Sequence, residues 1–302
     1  MSEAAKGVAA MVGVCLIWGL SPIFYAQVKH VPPLEVLAHR TIWSLAFFGA
    51  WMVLRKRMDE VARIAARPRT LAVCGAAAIV ISINWFFFIY ATQVDRVTES
   101  SLGYYIFPLV AVLLGRFVLR EKLGRRQWIA VGMAAAAVTV LAVGLGAPPW
   151  ISLGLAFSFG LYGLLKRQVA AGPVLSVTVE VALLAPLAVG YLALAGSGEM
   201  GEIRTSLFLI LSGPLTAIPL VLFSYAARRV RMATVGLIQY LNPTVQFAVA
   251  MSFFGEALTV WHAVAFPAIW AALALYSIES LREERLVRRA AALAAAPGTG
   301  AT

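Results

Sequence analysis

The sequence predicts an all-α polytopic membrane protein, with ten transmembrane helices arranged as two inverted five-helix repeats. Three observations lead there. Of the 302 residues, 61% are hydrophobic and 13% charged, and the mean hydropathy is +0.85; soluble domains run about half apolar and a quarter charged. The apolar residues gather into runs of about twenty, the length that crosses about 30 Å of hydrocarbon at 1.5 Å per helical residue. The second half of the chain also repeats, at nearly constant offset, spaced residues of the first.

The first span, near 7–28, lacks a small-residue cleavage site and is followed by many more apolar runs, so it reads as a retained helix and not a removed signal peptide. Pro32-Pro33 closes it and opens the second span at 34–54. The basic stretch Arg55–Arg69 separates this from the third span at 70–92. With Met58, Val61 and Ile64 at helical spacing, that stretch reads either as a short surface helix facing lipid or as a solvated loop. The fourth span, 98–119, follows a link holding Arg96, and Arg120–Arg126 marks its end before the fifth at 125–145. Pro148-Pro149 introduces the sixth at 149–168, Gly172-Pro173 the seventh at 175–195, and Gly196–Arg204 the eighth at 205–226. Arg228–Arg231 precedes the ninth at 232–254, and the tenth covers 258–280. Residues 282–302 are basic and then rich in Ala, Pro, Gly and Thr, for which a disordered tail is expected. The short loops leave no room for a soluble catalytic domain.

A net charge of +11 does not point to nucleic acid here, because the basic residues sit in short segments between apolar runs. With a cytoplasmic N-terminus, twenty Lys and Arg fall on inside segments, against only Lys29, Arg96 and Arg204 outside. That asymmetry predicts a multi-pass protein of the bacterial inner membrane with both termini cytoplasmic. Cys15 and Cys74 lie inside apolar runs, so neither a disulfide framework nor a metal cluster is indicated.

The repeat has two registers. A shift of 135 puts Tyr90-Ala91 on Tyr225-Ala226, Tyr105 on Tyr240, Pro108 on Pro243, Glu121 on Glu256 and Leu123 on Leu258. A shift of 141 puts Gly19 on Gly160, Gln27 on Gln168 and Pro32 on Pro173. The halves therefore span 7–145 and 147–281. Five spans is an odd number, so the second copy crosses the membrane in the opposite sense. Inverted repeats of this kind supply two related conformations, one open to each face, and transport has a use for that where a receptor or enzyme has none.

Several motifs carry a family likeness. Ile17-Trp18-Gly19 with Pro22, His30-Val31-Pro32, Glu35-Val36-Leu37-Ala38-His39-Arg40 with Trp43-Ser44, Asn84-Trp85, and Glu99-Ser100-Ser101-Leu102-Gly103-Tyr104 stand in the first half. Phe107-Pro108-Leu109, Tyr162-Gly163-Leu164 and Gly236-Leu237-Ile238-Gln239-Tyr240 with Pro243 continue the series. The chain closely resembles the RarD branch of the EamA drug/metabolite transporter family over nearly its whole length. The resemblance implies ten helices, inverted five-helix halves and a central cavity. The second half keeps fewer of the polar signatures.

Polar groups in a bilayer are costly and invite a functional reading. His39 and Arg40 lie about one and a half turns into the second span, with Glu35 four residues before His39 on one helix face. A Glu–His pair suits proton transfer or a carboxylate substrate; the plainer alternative has Glu35 and Arg40 anchoring the helix at the headgroups. Shifted by 141, His39 falls on Glu180, an acid inside an apolar run. His39 and Glu180 are the proton-coupling candidates, against an interhelical hydrogen bond as the structural alternative. Gln239, Asn242 and Gln246 form a polar stripe, and Asn84, Tyr104 and Tyr105 lie on spans that the repeat pairs with it. Amides and phenols facing a shared cavity, with Trp18, Trp85 and Tyr240 as apolar walls, suit a polar or amphipathic solute; amides as packing glue are the alternative. Pro108 and Pro243 are read as equivalent kinks about which the halves rock. Glu121 and Glu256, just beyond spans four and nine, read as capping or ion-pair residues.

The leading functional expectation is a secondary transporter or exporter of small organic solutes, working by alternating access and drawing on a gradient. A facilitative uniporter and a non-transporting membrane helper are the alternatives. Walker, His-Glu-x-x-His and Gly-x-Ser-x-Gly motifs are missing, so no enzyme activity and no cofactor are expected. The partners expected are a small-molecule solute and the lipid bilayer, with a homodimer left open.

Overall fold

The computed structural model describes residues 3–118, 120, 124–145, 149–166, 168–169, 171–198, 201–227, 229 and 238–295. Among these residues there are eleven helices and no strand: α1 Glu3–Ala26, α2 Pro33–Leu54, α3 Met58–Ala65, α4 Pro68–Gln93, α5 Val97–Val118, α6 Arg125–Gly144, α7 Trp150–Lys166, α8 Pro173–Ala195, α9 Ile203–Ala227, α10 Leu241–Ser252 and α11 Val260–Ala295. Eight of them (α1, α2, α4, α5, α6, α8, α9 and α11) are long and apolar enough to cross a membrane. The sixth expected span is met by α7, apolar but only 17 residues long. The ninth is met by α10, with 12 residues; the start of that expected span, like Glu121 and Gly236, lies outside the described residues.

Local chemistry sets the helix starts. Pro33, Pro68 and Pro173 occupy the first positions of α2, α4 and α8, where a missing amide loses no intrahelical bond. Of the two readings of 55–69, the helix forms, but its apolar side meets protein. Ile64 is buried beside Met52, Cys74 and Val179, with Val61 packed on the same cluster, while Met58 is exposed. At the other end of the chain α11 runs on through the basic segment to Ala295, so the expected disordered tail does not begin after Arg289. The physical reason is composition: Ala, Leu, Arg and Glu dominate 281–295, all strong helix formers.

Packing partners come in matched pairs. α1 packs on α9 and α10, while α7 packs on α4 and α5. α2 packs on α9 as α8 does on α4, and α2 with α8, α5 with α10 and α6 with α11 meet directly. One contact makes the correspondence specific. A Cβ added at Gly19 would sit 2.6 Å from Val245 Cβ, and one at Gly160 would sit 3.4 Å from Val110 Cγ1. Gly160 is the repeat mate of Gly19, and Val110 of Val245.

One end of the bundle is stitched by polar contacts. Glu256 accepts hydrogen bonds from the amides of Val97 (2.5 Å) and Thr98 (2.8 Å), so it caps α5 from the other half and bears out its reading as a capping residue. At the same end Arg204 donates to Gln27 (2.7 Å), His30 meets Thr205 (2.9 Å), and Gln93 donates to the carbonyls of Val28 and Val31. Lys29 pairs with Asp95 and lies over the Phe254 ring.

Candidate functional site

The site is built outward from α2, whose first turns carry Glu35, His39 and Arg40. All three are buried. The Glu35 carboxylate accepts the Ser197 amide and hydroxyl, each at 2.8 Å, so its hydrogen bonds go to the loop before α9 and not to His39. Its charge still acts on the His39 ring.

Arg40 turns the other way. Its guanidinium stacks over the Trp85 ring at 4.2 Å and faces the Tyr25 ring at 5.7 Å. The Tyr25 hydroxyl lies in hydrogen-bonding reach of Arg40 and of Thr216 on α9. The Arg40 charge also acts on the Tyr104 hydroxyl. That hydroxyl donates to Asn84 Oδ1 (3.3 Å), while Asn84 Nδ2 donates to the Leu155 carbonyl and to Ser158 Oγ, both at 3.0 Å. Asn84 thus joins α4, α5 and α7 with its amide fully used.

Of the expected site residues, Arg40, Trp85, Asn84 and Tyr104 come together here. Others go elsewhere. Tyr105 points into the α5–α6–α11 core, bonded to Thr244 (2.8 Å) and packed on Phe266 and Trp270, and Tyr240 packs against the same core. Asn242 and Gln246 form a relay on α10: Gln246 donates to Asn242 (3.1 Å) and accepts from Ser100 (3.1 Å), with Ser101 donating to the Pro243 carbonyl (2.8 Å). Gln239 and Trp18 are half-buried, Trp18 on α1 beside the Gly19–Val245 contact. Pro108 lies inside α5. Pro243 stands in the first turn of α10, directly after the helical residues 238–239 and a turn at Tyr240.

Glu180 is buried in α8 but paired. Lys166 Nζ lies 2.5 Å from one carboxylate oxygen, Tyr162 donates to the other at 2.9 Å, and Lys166 also reaches Ser176. The repeat mate of His39 is therefore half of an ion pair between α7 and α8. Sequence reasoning counted Lys166 among the inside loop charges and missed Tyr25 and Thr216. Lys166 is the last residue of α7, six residues before Gly172, close enough for its long stem to reach back to α8. Nothing in the linear pattern marks Tyr25. A crevice of about 190 Å³ between α2, α4 and α8, lined by Leu37, Thr41, Leu184 and Tyr191 among others, includes none of the expected site residues.

The profile of the EamA-like transporter family matches residues 5–143. "Protein RarD" of Streptomyces exfoliatus is 40% identical, the alignment covering 100% of this chain and 97% of that protein. "Uncharacterized transporter YojE" of Bacillus subtilis is 38% identical, over 94% and 97% of the two chains. "Protein RarD" of Escherichia coli is 35% identical, over 94% and 97%. A solved crystal structure with 19% identity covers 93% of this chain and 99% of its own with a TM-score of 0.62, a likeness of fold.

Proposed function

This chain belongs to the EamA-like transporter family, and from that premise we propose that it is a secondary transporter of small organic solutes in the bacterial inner membrane, working by alternating access between two inverted five-helix halves. The observation that carries the reading is the exchange of contacts between the halves, Gly19 on Val245 matched by Gly160 on Val110. A structure whose halves trade contacts under the repeat can trade their conformations too, and that converts a site open to one face into a site open to the other. In this reading the stitched end, with Glu256 capping α5 and Arg204 on Gln27, is the closed side, and the excess of basic residues on the opposite loops supports placing it at the cell exterior.

A gradient is the energy source in this reading. One charge moved through 100 mV is worth about 2.3 kcal/mol. The coupling element is the Glu180–Lys166–Tyr162 cluster, since a proton biases an equilibrium only by binding its two states differently. Protonated Glu180 no longer holds Lys166, which frees α7 to shift on α8. The test is uptake into proteoliposomes of a labelled metabolite panel, with and without an imposed pH gradient. Wild type accumulates solute with the gradient; Glu180→Gln exchanges solute but does not accumulate it. Absence of flux for every solute removes the transporter reading, and unchanged pH-driven accumulation in Glu180→Gln removes the coupling role.

A further inference from the structure

Besides histidine, three acidic or basic side chains are buried among the described residues: Glu35, Arg40 and Glu180. Glu35 is bonded to Ser197 and Glu180 to Lys166. Arg40, 8% exposed, has no carboxylate partner among the described residues, and its Nε makes no hydrogen bond. Stacking on Trp85 covers the flat face of the guanidinium and leaves its edge. The edge formed by Nε and one terminal nitrogen is the fork that matches the two oxygens of a carboxylate. A cation–π contact is worth about 2 kcal/mol when desolvated, less than the several kcal/mol that removing an ion from water costs.

The unmet groups extend along the helix. Trp43 Nε1 and Ser44 Oγ, three and four residues after Arg40 and so on one face, are also buried without partners. Each can donate, so a complementary ligand brings acceptors. The buried charge is one unit, which a monoanion neutralises and a dianion overshoots. Around it stand the rings of Trp85, Tyr25 and Tyr104.

We propose that Arg40 holds the carboxylate of the transported solute, and that the protein carries organic monocarboxylates with an aromatic or apolar body. The proposal rests on the transporter reading for the word "transported" and on the geometry of α2 for the anion. Glu35 is engaged by Ser197, which leaves the unpartnered Nε edge of Arg40 to the solute.

The test uses the purified full-length protein in detergent and reads thermal protection by phenylacetate and hexanoate, against phenylacetamide and hexanamide as neutral isosteres. The carboxylates protect wild type and the amides do not; phenylphosphonate as a dianion protects less. Arg40→Gln loses carboxylate affinity by about tenfold or more, the worth of one charge-assisted bond. Should Arg40→Gln fail to fold, Arg40→Lys keeps the charge and loses the fork, and the same ranking weakens. Amides protecting as well as carboxylates, carboxylates binding Arg40→Gln as tightly as wild type, or no protection of wild type by any carboxylate overturns the site. Flux of labelled phenylacetate in proteoliposomes separates the two proposals. Protection without flux keeps the anion site and removes transport, whereas flux of a neutral solute without carboxylate protection keeps transport and removes the site.

Discussion

A buried amide can be cavity lining or glue, and Asn84 distinguishes the two by what it touches. Its amide bonds to Leu155, Ser158 and Tyr104, so Asn84→Ala strips one acceptor from α5 and two donors from α7. The expected loss is about 1–2 kcal/mol, measured as a lower melting temperature of the purified protein. Lys166 makes a sharper case. Lys166→Met leaves Glu180 buried and uncompensated, a loss of about 3–5 kcal/mol, while Lys166→Met combined with Glu180→Gln recovers most of it; melting curves of the two variants check the ordering. Sequence pattern picked out Asn84, Arg40 and Glu180 because polar residues in apolar runs are conspicuous. It could not say what faced them. Asn84 and its partner Leu155 are 71 residues apart, and Tyr25 looks in sequence like any aromatic residue of a first span.

Helices were the legible part. Runs of apolar residues closed by proline pairs and basic clusters put the starts of α2, α4 and α8 within a few residues of their observed positions. The misses share a cause, since hydropathy measures how apolar a stretch is and not what it packs against. For this reason α3 turned its apolar side to Met52 and Cys74 and not to lipid, and α11 continued past its apolar portion to Ala295. At this scale the cap on α5 makes a pH-dependent prediction. Burial pushes the Glu256 carboxyl above its ordinary value, with the Val97 and Thr98 amides pulling it part of the way back. A carboxyl raised in the folded state adds stability that is full below its unfolded pKa and is lost as pH rises through the folded one. Melting temperature is therefore expected to fall as pH climbs out of the ordinary carboxylate range towards neutral. In Glu256→Gln this part of the slope is expected to vanish, and paired melting series over that range check it.

Across the whole molecule, both the repeat and the charge asymmetry bear on which end faces which side. Single cysteines at Ser197 and at Arg63, in a background lacking Cys15 and Cys74, are expected to react with an impermeant maleimide from opposite faces of the membrane. Labelling of both from the same side overturns the ten-span topology. The family profile ends at residue 143, in keeping with the thinner polar signatures of the second half, yet the second half is no appendage. The acceptor for the first two amides of α5 arrives 158 residues later in the chain. During synthesis at about 5–20 residues per second, α5 waits on the order of 10 to 30 s with its leading amides unsatisfied. Throughout that interval the first half depends on water, lipid headgroups or the insertion machinery for what Glu256 finally supplies. A ribosome that stalls anywhere between the halves leaves in the bilayer a fragment whose α5 lacks the acceptor for its leading amides.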